Sequence, residues 1–208
     1  PSPTLQQSSA ASDVCKRQDK EQDGHVIVES HSKGWCWYIP VESEGLGEVS
    51  VGIISGQEFK EEYSQMGPEA FFESCVDNLP YLQEMLGPDA KRVSKVDSIT
   101  DWAYSCDRMG GEGFLLAGDA ACFLDPLLST GVTMAMLAGY SAAVTANTIL
   151  KNPEMENEAT EFYAGNYKRM WDVTRDFLHY FYAGNATAYP EDMFWKARST
   201  LQLGDNVG

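Results

Sequence analysis

The chain has 208 residues, 43% hydrophobic and 12% aromatic, enough to build a real core in one large domain or a domain and a half. Its 15 Lys+Arg against 31 Asp+Glu leave a formal net charge of −16, which argues against nucleic acid or an anionic membrane as partner. Five cysteines (Cys15, Cys36, Cys75, Cys106 and Cys122) stand far apart with no C-x-x-C pair, so neither a disulfide framework nor a metal site is expected and a reducing compartment fits.

No signal-peptide pattern opens the chain, and a cytoplasmic location is the expectation. The stretch 126–150 carries no charge and is long enough to cross a bilayer. Ser129, Thr130, Thr133, Ser141, Thr145, Asn147 and Thr148 dilute it, however, and a helix buried inside a soluble protein is expected instead.

In chain order, residues 1–22 are polar and read as a flexible lead-in. Three strand-like runs follow, "HVIVES", "GWCWYIPVE" and "EVSVGIIS", the last two joined by the turn-rich "SEGLG". In "PEAFFESCVDNLPYLQEML", Phe71, Cys75, Leu79, Leu82 and Leu86 have helical spacing interrupted by Pro80, which predicts two short helices. "SITDWAYSCDR" reads as a strand and "GFLLAGDA" as a buried one. A long helix is expected over 129–150, and an aromatic-rich helical region over 156–182 that resumes near Asp192.

The run "GFLLAGDAACFLDPLLSTGVTMAMLAG" sets two lone carboxylates, Asp119 and Asp125, in apolar chain, and a buried carboxylate needs a partner. Gly118 lets the backbone approach a ligand, and Asp119 just past a strand can accept hydrogen bonds from sugar-like hydroxyls. Asp125–Pro126 makes a turn, because proline fixes its own φ and pushes the preceding residue out of the helical region. Ser129 or Thr130 can then cap a helix whose first free N–H groups attract anions. The bland reading is an ordinary capped helix after a strand; the composite pattern favours a ligand site at a strand's carboxyl end. Small residues at Gly131, Ala135, Ala138, Ala142 and Ala146 allow close packing, and Met134 and Met136 are expected in the core.

In "GWCWYIP", Trp35, Trp37 and Ile39 should share one face of a strand and Cys36 and Tyr38 the other. On spacing alone this is a core strand. Taken with the Gly-Asp loop, the chain resembles the C-terminal half of the flavin-dependent halogenases, within the flavoprotein monooxygenases of the hydroxybenzoate-hydroxylase fold. "GWCWYIP" carries the family's W-x-W-x-I-P, and "GFLLAGDAACFLDPLLSTGV" is similar to its second flavin motif, G-D followed by D-P-x-x-S-x-G. "GEVSVGII", "WAYSCDRMGGEGF" and "MFWKARSTL" agree, and the likeness covers roughly residues 23–200.

The resemblance implies an α/β fold with an antiparallel substrate sheet, a second flavin-motif strand and helix, and C-terminal helices. Segments are expected at 1–22 (lead-in), 23–110 (substrate-side sheet and helices), 111–152 (flavin motif and buried helix) and 153–208 (helical region). It implies FAD, reduced by a separate flavin reductase, held by Gly118, Asp119, Asp125, Pro126 and Gly131. Chloride or bromide would bind at the amides of Thr130 and Gly131. The substrate, a small aromatic molecule either free or on a carrier protein, would lie against Trp35, Trp37, Ile39, Pro40 and Leu128. The family's G-x-G-x-x-G, which grips the ADP part of FAD, has no match here, since "GLGEVSVG" has the wrong spacing. The family's catalytic lysine lies in that same N-terminal half, so no catalytic residue is assigned, and Lys33 reads as a solvated surface lysine. A partial chain that binds FAD weakly on its own is therefore expected. Halogenases of free tryptophan typically read P-L-E-S-T-G before the helix, whereas this chain has "PLLSTG". Leu128 thus points to a phenolic, polyketide-type substrate. The alternatives are an FAD-dependent aromatic hydroxylase or geranylgeranyl-reductase-like flavoprotein, and a non-catalytic interaction module.

Overall fold

The computed structural model describes residues 5–13 (backbone only), 25–41, 48–100 and 103–198, and divides the chain into two compact units. The first comprises Pro1–Asp101 with Gly184–Thr200, the second Trp102–Ala183 with Leu201–Gly208. The C-terminal helical region expected as one segment is therefore shared between the two.

The first unit is built on an antiparallel sheet of β1 (Leu5–Asp13), β2 (Ile27–His31), β3 (Gly34–Pro40), β4 (Glu48–Ser55), β5 (Lys91–Arg92) and β6 (Asp97–Thr100). Its order is β2-β3-β4-β1-β5, with β6 also pairing β1. The strands expected from "HVIVES", "GWCWYIPVE" and "EVSVGIIS" are β2, β3 and β4; the loop "SEGLG" lies outside the described residues. The expected lead-in differs. Residues 5–13 pair with β4 from Ser8↔Ile53 to Asp13↔Glu48. A run of Gln, Ser and Ala shows no alternation of its own, so the open edge of β4, not local propensity, makes it a strand.

Alternation in β3 works as expected. Cys36 and Tyr38 join Val49, Val51 and Ile53 in a core covered by Phe71, Phe72, Cys75, Leu79, Leu82 and Met85. Those residues come from α2 (Pro68–Val76), α3 (Pro80–Leu86) and, for Leu79, the N-cap of α3; α1 (Lys60–Met66), which the pattern did not predict, precedes them. The two short helices expected on either side of Pro80 are α2 and α3, and Pro80 is the first residue of α3, as suits a residue without an N–H. Glu29, paired with Cys36 across the sheet, accepts the N–H groups of Tyr81 (3.2 Å) and Leu82 (2.8 Å). This carboxylate satisfies donors at the α3 N-terminus and complements its dipole. Lys33 is half-buried rather than solvated: it pairs with Glu62 at 2.5 Å and lies over the Phe71 ring.

His31 ends β2 in a buried position. Its main-chain oxygen accepts from Trp195 Nε1 (2.9 Å), and its Nδ1 accepts from the Lys33 N–H (3.2 Å), which places the ring proton on Nε2. Burial, and then the Lys33 charge, pull its pKa from 6.5 down to about 4. The unfolded chain therefore takes up the proton first as pH falls, and the stability present above 6.5 is lost on the way to 4. The loss from this one group is about 3 kcal/mol. Ring-proton NMR should show a histidine with a midpoint near 4; a midpoint near 6.5 would contradict the buried neutral ring.

The second unit holds short ribbons and long helices. β7 (Tyr104–Ser105) pairs with β10 (Cys122–Phe123), and β8 (Gly110–Gly111) with β9 (Phe114–Leu115). The strand expected from "SITDWAYSCDR" is thus β6 and β7, with 101–102 outside the described residues. "GFLLAGDA", expected as a buried strand, is only β9, and Phe114 is 43% exposed. Within this unit its only ladder partner among the described residues is Gly110–Gly111, which offers no side chains to cover it. α4 (Gly131–Lys151) buries Met134, Ala138 and Thr145, whereas Met136, expected in the core, is 71% exposed. α5 (Glu156–Ala188) runs from this unit into the Gly184–Thr200 segment of the first, where α6 (Met193–Ala197) follows. Among the described residues no helix is long and apolar enough to cross a membrane.

Candidate functional site

The loop from β9 to α4 contains little regular pairing. Leu116 N–H still donates to the Met109 carbonyl (2.9 Å), and then the chain turns away. Gly118 takes φ +60, a region open to glycine, and a Cβ there would stand 3.2 Å from Ala135 Cβ on α4. Glycine at this point lets the Gly118–Ala120 turn lie directly against α4. After β10, Asp125 is extended, Pro126–Leu128 form a second tight turn, and Ser129 follows at φ +51. Ser129 is the one non-glycine residue with positive φ among the described residues.

The two aspartates have different fates. Asp119 is exposed, and its carboxylate accepts no hydrogen bond from the described residues; its main-chain oxygen accepts from Tyr104 OH. Asp125, expected to serve the cofactor, is committed to the protein: Oδ1 accepts the Leu127 N–H (2.8 Å) and Oδ2 accepts Tyr182 OH (2.9 Å). It organises the turn, and that is how a half-buried carboxylate is satisfied here.

The helix start also departs from expectation. α4 begins at Gly131 rather than Ser129, and Thr130, at its N-cap, makes no side-chain capping bond. Ser129 closes the preceding turn by donating its N–H to the Pro126 carbonyl (2.9 Å). The opening amides of a 21-residue helix are thus left without a side-chain acceptor from the N-cap, at the positive end of its dipole. Pro126 and Leu128 are half-buried beside them.

Trp35, Trp37, Ile39 and Pro40 belong to the first unit, and Gly118–Gly131 belong to the second. Trp35 and Trp37 share a face, with ring centroids 6.1 Å apart. Trp35 is 1% exposed, a core residue; Trp37 is half-buried, fills the space above Gly52 and donates Nε1–H to Ser50 Oγ (3.3 Å).

Sequence reasoning missed the tyrosines that hold the loop. From α5, Tyr163 OH donates to the Leu116 carbonyl (2.5 Å), Tyr167 OH to the Gly118 carbonyl (3.1 Å) and Tyr182 OH to Asp125. Burial raises the pKa of Tyr163 and Tyr167, so both stay protonated donors. Tyr163, Tyr167, Trp171, Leu178 and Tyr182 are all buried and fall on one helical face. That spacing was the available signal.

These features define an α/β chain with a glycine-aspartate turn, an open carboxylate and an uncapped long helix. A family model described as tryptophan halogenase matches residues 4–208, so the chain belongs to the tryptophan halogenase family. It is 31% identical over 182 residues to sulochrin halogenase gedL of Aspergillus terreus, covering 83% of this chain and 32% of that protein. It is 32% identical over 179 residues to tryptophan 2-halogenase of Chondromyces crocatus, covering 86% of this chain and 33% of that one. Among solved structures, the flavin-dependent halogenase CmlS aligns with a TM-score of 0.87 at 26% identity, over 97% of this chain and 36% of its own. The myxobacterial chondrochloren halogenase CndH aligns at 0.85 and 28%, over 96% and 45%. The chain spans about a third of the length of the curated relatives it matches.

Proposed function

We propose that this chain forms the flavin- and halide-facing part of a flavin-dependent halogenase that acts on an electron-rich phenolic ring. The observation that carries the reading is the contrast between the two aspartates: Asp125 is engaged within its own turn, while Asp119 presents an unengaged carboxylate beside a glycine that keeps the backbone bare. An acceptor so placed suits the ribityl hydroxyls of FAD, and Gly118, Pro126 and Gly131 offer backbone without bulk along the same loop. Bound FAD, reduced by a separate reductase, supplies the oxidising power, drawn from oxygen, that makes halide electrophilic. The amides of Thr130 and Gly131 attract the halide, because the dipole of α4 and its uncapped N–H groups favour an anion. Trp37 is assigned as the aromatic wall of the substrate side, favouring halide over direct hydroxylation, while the buried Trp35 supports the strand that carries it.

Leu128 narrows the substrate. A leucine cannot accept a hydrogen bond or share charge, so assistance to a poorly activated ring is lacking at this position. A phenol needs less help, because partial ionisation already makes its ring nucleophilic. The relatives' names include both sulochrin and tryptophan, so likeness alone does not choose. The −16 charge disfavours an acidic carrier protein, and a free substrate is the simpler fit. Supplying a full-length enzyme that contains this chain with reduced FAD, chloride and a mixture of tryptophan and simple phenols should give chlorophenols. Chlorotryptophan as the main product would reverse the substrate assignment, and hydroxylated products alone would favour an aromatic hydroxylase.

A further inference from the structure

The segment 116–131 carries every loop residue assigned to ligand, yet it lacks a continuous backbone ladder to hold its shape. Its polar groups are tied instead by phenols: Tyr104 OH at the Asp119 carbonyl, Tyr163 OH at Leu116, Tyr167 OH at Gly118 and Tyr182 OH at Asp125 Oδ2. The last of these differs in kind, because it ends on a side chain that is itself bonded onward. Tyr182 OH holds one carboxylate oxygen while the other accepts the Leu127 N–H (2.8 Å), inside the turn that leads through Ser129 to Thr130 and Gly131.

We infer that Tyr182 is a positioning residue: through Asp125 it sets the Pro126–Leu128 turn, and so the aim of the Thr130 and Gly131 amides. The carboxylate has rotational freedom about its side-chain torsions, and a charge-assisted bond at each oxygen removes it. Ser129 stands at φ +51, a conformation that a non-glycine residue keeps only when its surroundings over-determine it. The Tyr182–Asp125–Leu127 chain is the restraint on its N-terminal side. Tyr182 touches neither halide nor substrate in this account; it acts through Asp125. The halide arm of the test below rests on the halogenase reading, and the exchange arm does not.

Tyr182→Phe keeps the buried ring and removes only the hydroxyl. Amide hydrogen exchange at Leu127 and Ser129, whose N–H groups are bonded within the turn, should accelerate about tenfold, the loss of roughly one charge-assisted hydrogen bond, while mid-α4 amides such as Ala138 keep their rates. In the full-length enzyme the KM for chloride should rise by about the same factor, with the KM for the aromatic substrate unchanged. Asp125→Asn should reproduce both effects and add little in the Tyr182→Phe background, since the two act as one unit. Unchanged exchange at Leu127, acceleration spread evenly along α4 and α5, an unchanged chloride KM in an active enzyme, or additive effects of the two substitutions would each overturn the inference. Local acceleration in this chain, with a full-length enzyme that halogenates nothing, would uphold the restraint and sink the halogenase reading instead.

Discussion

Gly34→Ala is expected to keep the first unit from folding. Gly34 opens β3 at φ +148, and a Cβ there would stand 1.9 Å from the Ile54 carbonyl oxygen, on the strand to which Gly34 is paired through Ser55. On its other side Gly34 is paired with His31, so neither neighbour can retreat without breaking a ladder. Backbone strain and a backbone clash act together, and the cost is about 4 kcal/mol or more, a large fraction of a domain's stability. Gly67→Ala provides the comparison, since Gly67 has φ +81 with nothing within 4 Å of its hypothetical Cβ. That substitution bears only the conformational cost of a positive-φ extended backbone, about 1–3 kcal/mol. Circular dichroism and urea unfolding of both variants decide the point: equal losses would mean that the approach of β4 to Gly34 is not as tight as described.

Trp35→Ala and Trp37→Ala should separate core from wall. Trp35 is 1% exposed, so its truncation opens a large cavity and costs about 3–5 kcal/mol. Any fall in halogenation then tracks the folded fraction, and product ratios among surviving molecules stay as they were. Trp37 is half-buried and held by Ser50 and the bare backbone of Gly52, so its removal costs less, about 2 kcal/mol. Under the halogenase reading its loss should shift product from chlorinated toward hydroxylated. Sequence spacing gave both tryptophans the same role; burial divides them. A changed ratio in Trp35→Ala with an unchanged one in Trp37→Ala would reverse the assignment.

Much of the candidate site was legible because it is written in short-range chemistry. Glycine at 118, proline at 126 and the uncharged run beyond them announce a turn, a second turn and a helix, each from residues that few other conformations accept. The role of Asp125 was not legible. Its partner Tyr182 lies 57 residues away, and nothing local distinguishes a carboxylate that faces a ligand from one that ties a turn. The same limit hid the phenol donors of Tyr163 and Tyr167, whose targets are main-chain carbonyls and leave no mark on the residues that own them.

For the fold, the sequence by itself determined β2, β3 and β4, since their β-branched and aromatic runs, bounded by turn residues, favour extended chain, and it determined α2 and α3 through prolines that can start a helix but not continue one. Tertiary structure alone decided that residues 5–13 form a strand, because a serine- and alanine-rich run takes its conformation from the open edge of β4. It decided likewise that Met136 faces outward while Met134 is buried, because helical periodicity separates the two residues to different faces but does not say which face finds a neighbour. Local patterns are energies of neighbouring residues and can be read along the chain; strand pairing, burial and the partner of a charged group are energies of residues far apart, and exist only once the chain has folded.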